Sequence, residues 1–85
     1  MILISHRGNT NGRNPEKENT LKYIEQTLKQ GYHCEIDICK FDGKKFFLGH
    51  DEPGEAVTID WLHVNKVWCH AKDYKVLEAM VTLGI

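Results

Sequence analysis

The stretch Cys34-Glu35-Ile36-Asp37-Ile38-Cys39 decides the fold, because apolar and acidic residues alternate along it. Successive side chains of a strand point to opposite faces. One face would carry Ile36 between two other apolar residues, and the opposite face would carry Glu35 and Asp37. The stretch therefore predicts a strand with one buried apolar face and, on its other face, two carboxylates one pleat apart.

The residues before this strand predict a strand followed by a helix. Residues 2–5 form a short apolar run, which is typical of a buried parallel strand. Over residues 19–30 apolar side chains recur with helical spacing, and Asn19 or Thr20 can cap the start of that helix. Gly31 can end it in the left-handed conformation.

The residues after the strand predict a ribbon, a further strand and a second long helix. Asp42-Gly43 is a strong hairpin signal within 40–48, and it predicts an antiparallel ribbon there. Residues 58–62 resemble one helical turn, residues 65–71 read as a third core strand, and Asp73 can cap the last helix. Strands that alternate with helices are typical of a parallel α/β sheet.

Composition excludes several classes of protein. The chain has 85 residues and a net charge of −1, with acidic and basic residues interspersed. We therefore expect no nucleic-acid partner, because such a protein carries a basic surface. No apolar run is long enough for a membrane span or a signal peptide, which predicts a cytoplasmic protein. Three cysteines without a repeated spacing do not form a disulfide framework.

Polar residues that could take part in catalysis or ligand binding follow the predicted strands. His6-Arg7-Gly8 comes after the first strand and His50-Asp51 after the ribbon. Because reactive groups in parallel α/β folds gather at the carboxyl ends of strands, we expect these clusters at one edge. Imidazoles exchange protons near neutral pH, and a guanidinium suits phosphate oxygens. The alternative is that each histidine is structural and that Arg7 is a surface ion-pair partner.

Glu35 and Asp37 predict a divalent cation. Two carboxylates this close repel each other unless a positive charge lies between them. Mg²⁺ and Ca²⁺ prefer oxygen ligands, so either ion would fit the pair. The alternative is that both carboxylates lie on the solvent-exposed face of an edge strand.

Taken together, the motifs of this chain resemble the glycerophosphodiester phosphodiesterase family. The order of the following motifs matches that family, and so does their spacing apart from an irregular loop between Gly8 and Glu18: His6-Arg7-Gly8, Glu18-Asn19-Thr20, Gly31, Glu35-x-Asp37, Asp42-Gly43 and His50-Asp51. The resemblance covers residues 2 to about 51 and continues more weakly to Lys72.

The resemblance implies a fold and a domain organisation. It implies an α/β fold in which residues 1–85 are a partial domain, the N-terminal portion of a (β/α)₈ TIM barrel with about three βα units. A full barrel needs about 250 residues. The expected partner is thus a missing C-terminal barrel segment, either on a longer chain or on another polypeptide.

The resemblance also implies an activity, a metal-dependent hydrolysis of small glycerophosphodiesters in lipid or glycerol-phosphate metabolism. It assigns the site residues as follows: His6 and His50 as the general acid–base pair, Arg7 as the phosphate contact, Glu35 and Asp37 as ligands of Mg²⁺ or Ca²⁺, and Glu18 and Asn19 at the edge of the site. The protein would then be a phosphoric diester hydrolase with a small-molecule substrate.

The chain departs from the family at His70-Ala71-Lys72, where the family has Glu-x-Lys. His70 would then be the third metal ligand, and histidine favours a transition metal. Lys72 would contact phosphate. The two residues could equally be ordinary strand-end residues. Two further alternatives stay open: an inactive phosphate- or metal-binding fragment of the same fold, and an enzyme similar to phosphatidylinositol-specific phospholipases, which share the barrel and the paired histidines.

Overall fold

The structure is a computed structural model that describes residues 3–10, 12 and 14–85. The predicted start of the first strand at Ile2 lies outside the described residues, as do Asn11 and Arg13 in the predicted loop. The described residues form five strands and three helices in the following order: β1 (Ile4–His6), α1 (Leu21–Lys29), β2 (His33–Phe41), β3 (Lys45–Leu48), β4 (Ala56–Thr58), α2 (Ile59–Val64), β5 (Val67–Ala71) and α3 (Tyr74–Thr82).

The helix ends follow local capping rules. The Oγ1 of Thr20 accepts a hydrogen bond from the backbone N–H of Tyr23 at 3.4 Å, which starts α1. The carboxylate of Asp73 accepts one from the N–H of Val76 at 2.9 Å, which starts α3. After α1, Gly31 has φ +93°, the left-handed conformation that ends a helix. These observations confirm the two predicted long helices and their caps.

Strand β2 is the centre of the sheet. It pairs in parallel with β1 and with β5, and in antiparallel fashion with β3, which in turn pairs with β4. The carbonyls of Glu35 and Asp37 accept hydrogen bonds from Arg7 and Gly49, whereas the carbonyl of Ile38 accepts one from Lys72. Because successive backbone carbonyls alternate between the two edges of a strand, β1 and β3 lie along one edge of β2 and β5 lies along the other.

This topology corrects the predicted fold class. The sequence predicted an α/β fold, the N-terminal portion of a (β/α)₈ TIM barrel with about three βα units, but the described residues form a small mixed sheet of five strands with three short helices. Between β2 and β5 the chain does not make a simple βα crossover. The turn at Asp42-Gly43 folds it back into β3 and β4, so two of the four strand pairings are antiparallel.

One face of the sheet forms the core. Ile36 and Ile38 of β2 are fully buried, and Ile24 from α1 and Met80 from α3 belong to the same apolar cluster. The predicted alternation along β2 is confirmed. Trp68 lies outside this core and is 52% exposed. Trp68 pairs in register with Glu35 and so points to the sheet face opposite the core.

Replacing Gly49 with alanine is expected to destabilise the fold more than replacing Gly43. Both glycines have positive φ, +150° and +99°, so alanine at either position costs about 1–2 kcal/mol. A Cβ at Gly49 would also overlap the backbone oxygen of Glu52, whereas a Cβ at Gly43 meets no atom within 4 Å among the described residues. We expect Gly49→Ala to lose a further ~1–3 kcal/mol of unfolding free energy. Urea unfolding of both variants measures this, and equal losses would contradict it.

Candidate functional site

A cavity opens at the carboxyl end of β1. Its volume is about 830 Å³. Its lining comprises the following residues: His6, Arg7, Asn9, Thr10, Gly12, Pro15, Glu18, His50 and Asp51. The structure thus brings together four residues that the sequence singled out from three separate segments of the chain, namely His6, Arg7, Glu18 and His50.

Backbone contacts fix the segment that follows β1. Strand β1 ends at His6, which pairs with Glu35 of β2, and the N–H of Arg7 donates to the carbonyl of Glu35 at 2.6 Å. The carbonyl of Gly8 accepts a hydrogen bond from Thr27 Oγ1 on α1 at 2.7 Å. These contacts set the positions of His6 and Arg7 against both the sheet and the helix.

Gly8 must be glycine for two reasons. Its φ is +89°, which an L side chain rarely adopts, and a Cβ there would lie 2.8 Å from Cδ2 of Tyr23 on α1. The backbone of this segment consequently lies close to the helix. Sequence reasoning missed Thr27, which is buried and holds Gly8, because a threonine inside a helix carries no pattern of its own.

Arg7 lies between two carboxylates. Its Nη1 donates a hydrogen bond to Glu18 Oε2 at 3.2 Å, and its Nε lies 2.6 Å from Asp37 Oδ2. The second contact is an ion pair without the direction of a hydrogen bond. Arg7 itself has φ +57°, so the backbone adopts an uncommon conformation to place this side chain. The guanidinium is therefore held on two sides at the wall of the cavity.

Asn19 locks Asp37 in place. The Nδ2 of Asn19 donates to Asp37 Oδ2 at 3.1 Å, and the backbone N–H of Asp37 donates to Asn19 Oδ1 at 3.0 Å. The N–H of Asn19 also donates to the carbonyl of Arg7 at 3.1 Å. Asn19 has φ +59°, which asparagine tolerates better than most residues. We call these four residues the Arg7 cluster: Arg7, Glu18, Asn19 and Asp37.

The environment of Asp37 lowers the pKa of its carboxyl group. Burial raises this pKa, but the hydrogen bond from Asn19, the charges of Arg7 and Lys72 and the contact with His70 outweigh burial. The carboxylate is thus the stable form in the folded protein.

The stability of the protein is expected to fall in acid because of Asp37. A lowered folded-state pKa stabilises the fold at pH values above the unfolded pKa of about 3.9, and this contribution is lost as the pH falls through the folded pKa. We therefore expect the free energy of unfolding to drop below about pH 4. Urea unfolding between pH 2 and pH 6 tests this, and Asp37→Asn should show a shallower slope. Identical slopes would contradict the assignment.

The residues predicted to bind a metal ion do not line the cavity and do not form one cluster. Glu35 Oε1 lies 3.9 Å from His6 Nε2, whereas His70 Nδ1 lies 3.1 Å from Asp37 Oδ1. Across the part of the chain that the structure describes, no group of three or more histidine, cysteine, aspartate or glutamate side chains is arranged to hold a metal ion. Glu35, Asp37 and His70 therefore do not form such a group in this structure.

The two histidines of the cavity are accessible. The side chains of His6 and His50 are 57% and 44% exposed, and His50 Nδ1 lies 3.0 Å from Asp51 Oδ1. That contact leaves Nε2 of His50 free to act if Nδ1 carries the proton. The sequence placed Asp51 beside His50 but gave it no role, and the structure makes it the partner of that imidazole.

Asn9 is a further cavity residue that the sequence did not single out. Its Nδ2 donates to Glu18 Oε1 at 3.0 Å, which fixes the orientation of the amide group. Its Oδ1 is buried and has no hydrogen-bond partner among the described residues. A buried acceptor without a partner fits a ligand that donates a hydrogen bond. The only sequence signal was its place directly after His6-Arg7-Gly8.

Cysteine chemistry does not contribute to this site. Burial raises the pKa of Cys34 and Cys39, and it raises the pKa of Cys69 to about 11. All three thiols are free and protonated near neutral pH, so they are poor nucleophiles.

Comparison of the chain with protein-family models, curated proteins and solved structures finds no significant match. The resemblance to glycerophosphodiester phosphodiesterases therefore stays a prediction from the motifs. Among the described residues, no helix combines the length and the apolar character needed to cross a membrane.

Proposed function

We propose that the cavity binds and hydrolyses a small phosphodiester. One observation carries the proposal: His6 and Arg7 from one segment and His50 from another line a single cavity of about 830 Å³. Two proton-transfer groups can supply acid–base catalysis of phosphodiester cleavage, and one fixed positive charge can stabilise its transition state.

The chemistry assigned to the residues follows from their proton-transfer properties. One imidazole removes a proton from the attacking water or substrate hydroxyl as its oxygen forms a bond to phosphorus. The other imidazole, protonated beforehand, gives a proton to the leaving alkoxide as the phosphorus–oxygen bond breaks. Arg7 contacts the non-bridging oxygens, on which negative charge grows. After the reaction the first imidazole releases its proton to bulk water and the second takes one up, so the starting protonation state is restored and protons balance.

A glycerol-type phosphodiester is the substrate we propose. The motif resemblance favours it, and so does Oδ1 of Asn9, a buried acceptor that a glycerol hydroxyl could satisfy. Such a substrate would place the enzyme in lipid or glycerol-phosphate metabolism. A phosphate contact by Lys72 and a divalent cation at Glu35, Asp37 and His70 stay predictions.

The proposal is tested by an assay of the purified chain. Bis(p-nitrophenyl) phosphate and glycerophosphocholine are incubated with the chain in EDTA, and separately with Mg²⁺, Ca²⁺ and Mn²⁺. We expect turnover in at least one of these conditions, at a rate proportional to the protein concentration. A folded chain that shows no turnover in any condition would refute hydrolysis.

A second candidate function is phosphate binding without hydrolysis. The exposure of both imidazoles favours it, since side chains that are 57% and 44% exposed do not enclose a substrate away from bulk water. This candidate predicts saturable binding of inorganic phosphate to the cavity and no turnover of either diester.

A further inference from the structure

Asp37 has no free oxygen for a cation. Its Oδ2 faces Arg7 Nε at 2.6 Å and accepts from Asn19 Nδ2 at 3.1 Å, and its Oδ1 faces His70 Nδ1 at 3.1 Å. The residue is 1% exposed. A divalent cation at either oxygen would compete with these groups and would lie beside the guanidinium charge, which repels it.

Glu35 does not share this environment. Its side chain is 44% exposed, and its Oε1 lies 3.9 Å from His6 Nε2. Glu35 and Asp37 therefore differ in burial and in partners although they lie on the same sheet face. To share a cation, both carboxylates would have to point at the same ion, as the ligands do in sites built from oxygen atoms.

The contacts of Arg7 give Asp37 a different role. A guanidinium on a flexible stem binds phosphate best when its fork is held in one orientation. Asp37 holds Nε, Glu18 holds Nη1, and Asn9 in turn holds Glu18. Arg7 lines the cavity, whereas Asp37 does not, so Asp37 acts from behind the side chain that a ligand would meet.

We propose that Asp37 is a positioning residue that directs Arg7 toward phosphate in the cavity, and that Arg7 supplies the positive charge which the sequence assigned to a divalent cation. This inference deepens the proposed function and rests on it for the phosphodiester substrate. Binding of the phosphate group then needs no metal ion.

Inorganic phosphate is the probe for the positioning role. By isothermal titration, Asp37→Asn and Arg7→Lys should each weaken phosphate binding by about tenfold or more, because each removes the oriented charged contact. In a double-mutant cycle, Asp37→Asn added to Arg7→Ala should cause no further loss, since Asp37 acts only through Arg7. Asp60→Asn, on the exposed start of α2, is the matched control and should bind phosphate like wild type. An additional loss in the double variant overturns the inference.

Mn²⁺ titration followed by electron paramagnetic resonance tests the alternative without relying on activity. We expect Mn²⁺ binding weaker than about 1 mM and equal in wild type, Glu35→Gln and Asp37→Asn. Mn²⁺ binding tighter than this that is lost in Glu35→Gln overturns the inference. Because Glu35 is half-exposed, Glu35→Gln should fold, so the test can be made even where Asp37→Asn does not fold.

The results separate this inference from the proposed function. Hydrolysis that EDTA abolishes and a divalent ion restores would uphold the proposed function and overturn the inference. A chain that hydrolyses no diester, but shows the expected phosphate coupling and no Mn²⁺ site, would refute hydrolysis and uphold the positioning of Arg7 by Asp37.

Discussion

Replacing His6 or His50 with alanine is expected to lower kcat for a small phosphodiester by about 10²–10⁴-fold, the usual contribution of a general acid or base. Both imidazoles line the cavity and are exposed at its wall, so neither change removes core packing. The free energy of unfolding should therefore change little. The assay of kcat is combined with urea unfolding, so that loss of rate is separated from loss of structure.

His63→Ala is the matched control for these two variants. His63 is exposed near the end of α2 and does not line the cavity. It should keep the wild-type rate. Unfolding of His6→Ala or His50→Ala would show that the imidazole is structural, and a wild-type rate in both folded variants would remove the acid–base assignment. Because the two residues act in one reaction, the double variant should lose much less than the product of the single losses.

Replacing Asn19 with alanine is expected to cost about 3–6 kcal/mol of unfolding free energy, the largest stability effect at the site. The change removes the donor to the Asp37 carboxylate and leaves the buried N–H of Asp37 without its acceptor. It also places alanine at φ +59°. For a chain of 85 residues, total stability is about 4–13 kcal/mol, so this variant is close to unfolding.

Two further variants separate the causes of that loss. Asn19→Gly removes the same hydrogen bonds but tolerates φ +59°, so it should lose about 1–2 kcal/mol less than Asn19→Ala. Asn65→Ala removes a side-chain bond to the carbonyl of Trp61 at a helix end, 2.8 Å long and partly exposed, and should cost only about 1 kcal/mol. Urea unfolding measures all three. Equal losses in Asn19→Ala and Asn65→Ala would show that the Arg7 cluster contributes no special stability.

Local elements could be predicted because their signals lie within a few residues. The alternation through Ile36 and Ile38 indicated a strand with one buried face, and Asp42-Gly43 indicated the turn between β2 and β3. Asp73 indicated the start of α3. In each case the pattern reflects a conformational preference of the backbone that depends on residues close in sequence and not on distant contacts.

The predicted fold class was wrong for a reason outside the local pattern. A short parallel strand can continue into a βα repeat or join a mixed sheet, and the sequence of β1 or β5 is compatible with both. The pairing of β3 with the same edge of β2 that holds β1, and the addition of β4, decided the mixed sheet. Strand β4 was not predicted, since three residues carry too little periodicity.

By itself, the sequence determined the helices, the central strand and its buried face, and the polar residues that reach one cavity. Tertiary structure alone decided what each of those polar residues touches. Asp37 and Glu35 look equivalent along the strand, but only Asp37 is buried against Arg7, Asn19 and His70. The physical reason is that a carboxylate takes its role from the charges and donors around it, and here those come from residues 18, 30 and 33 positions away in the chain.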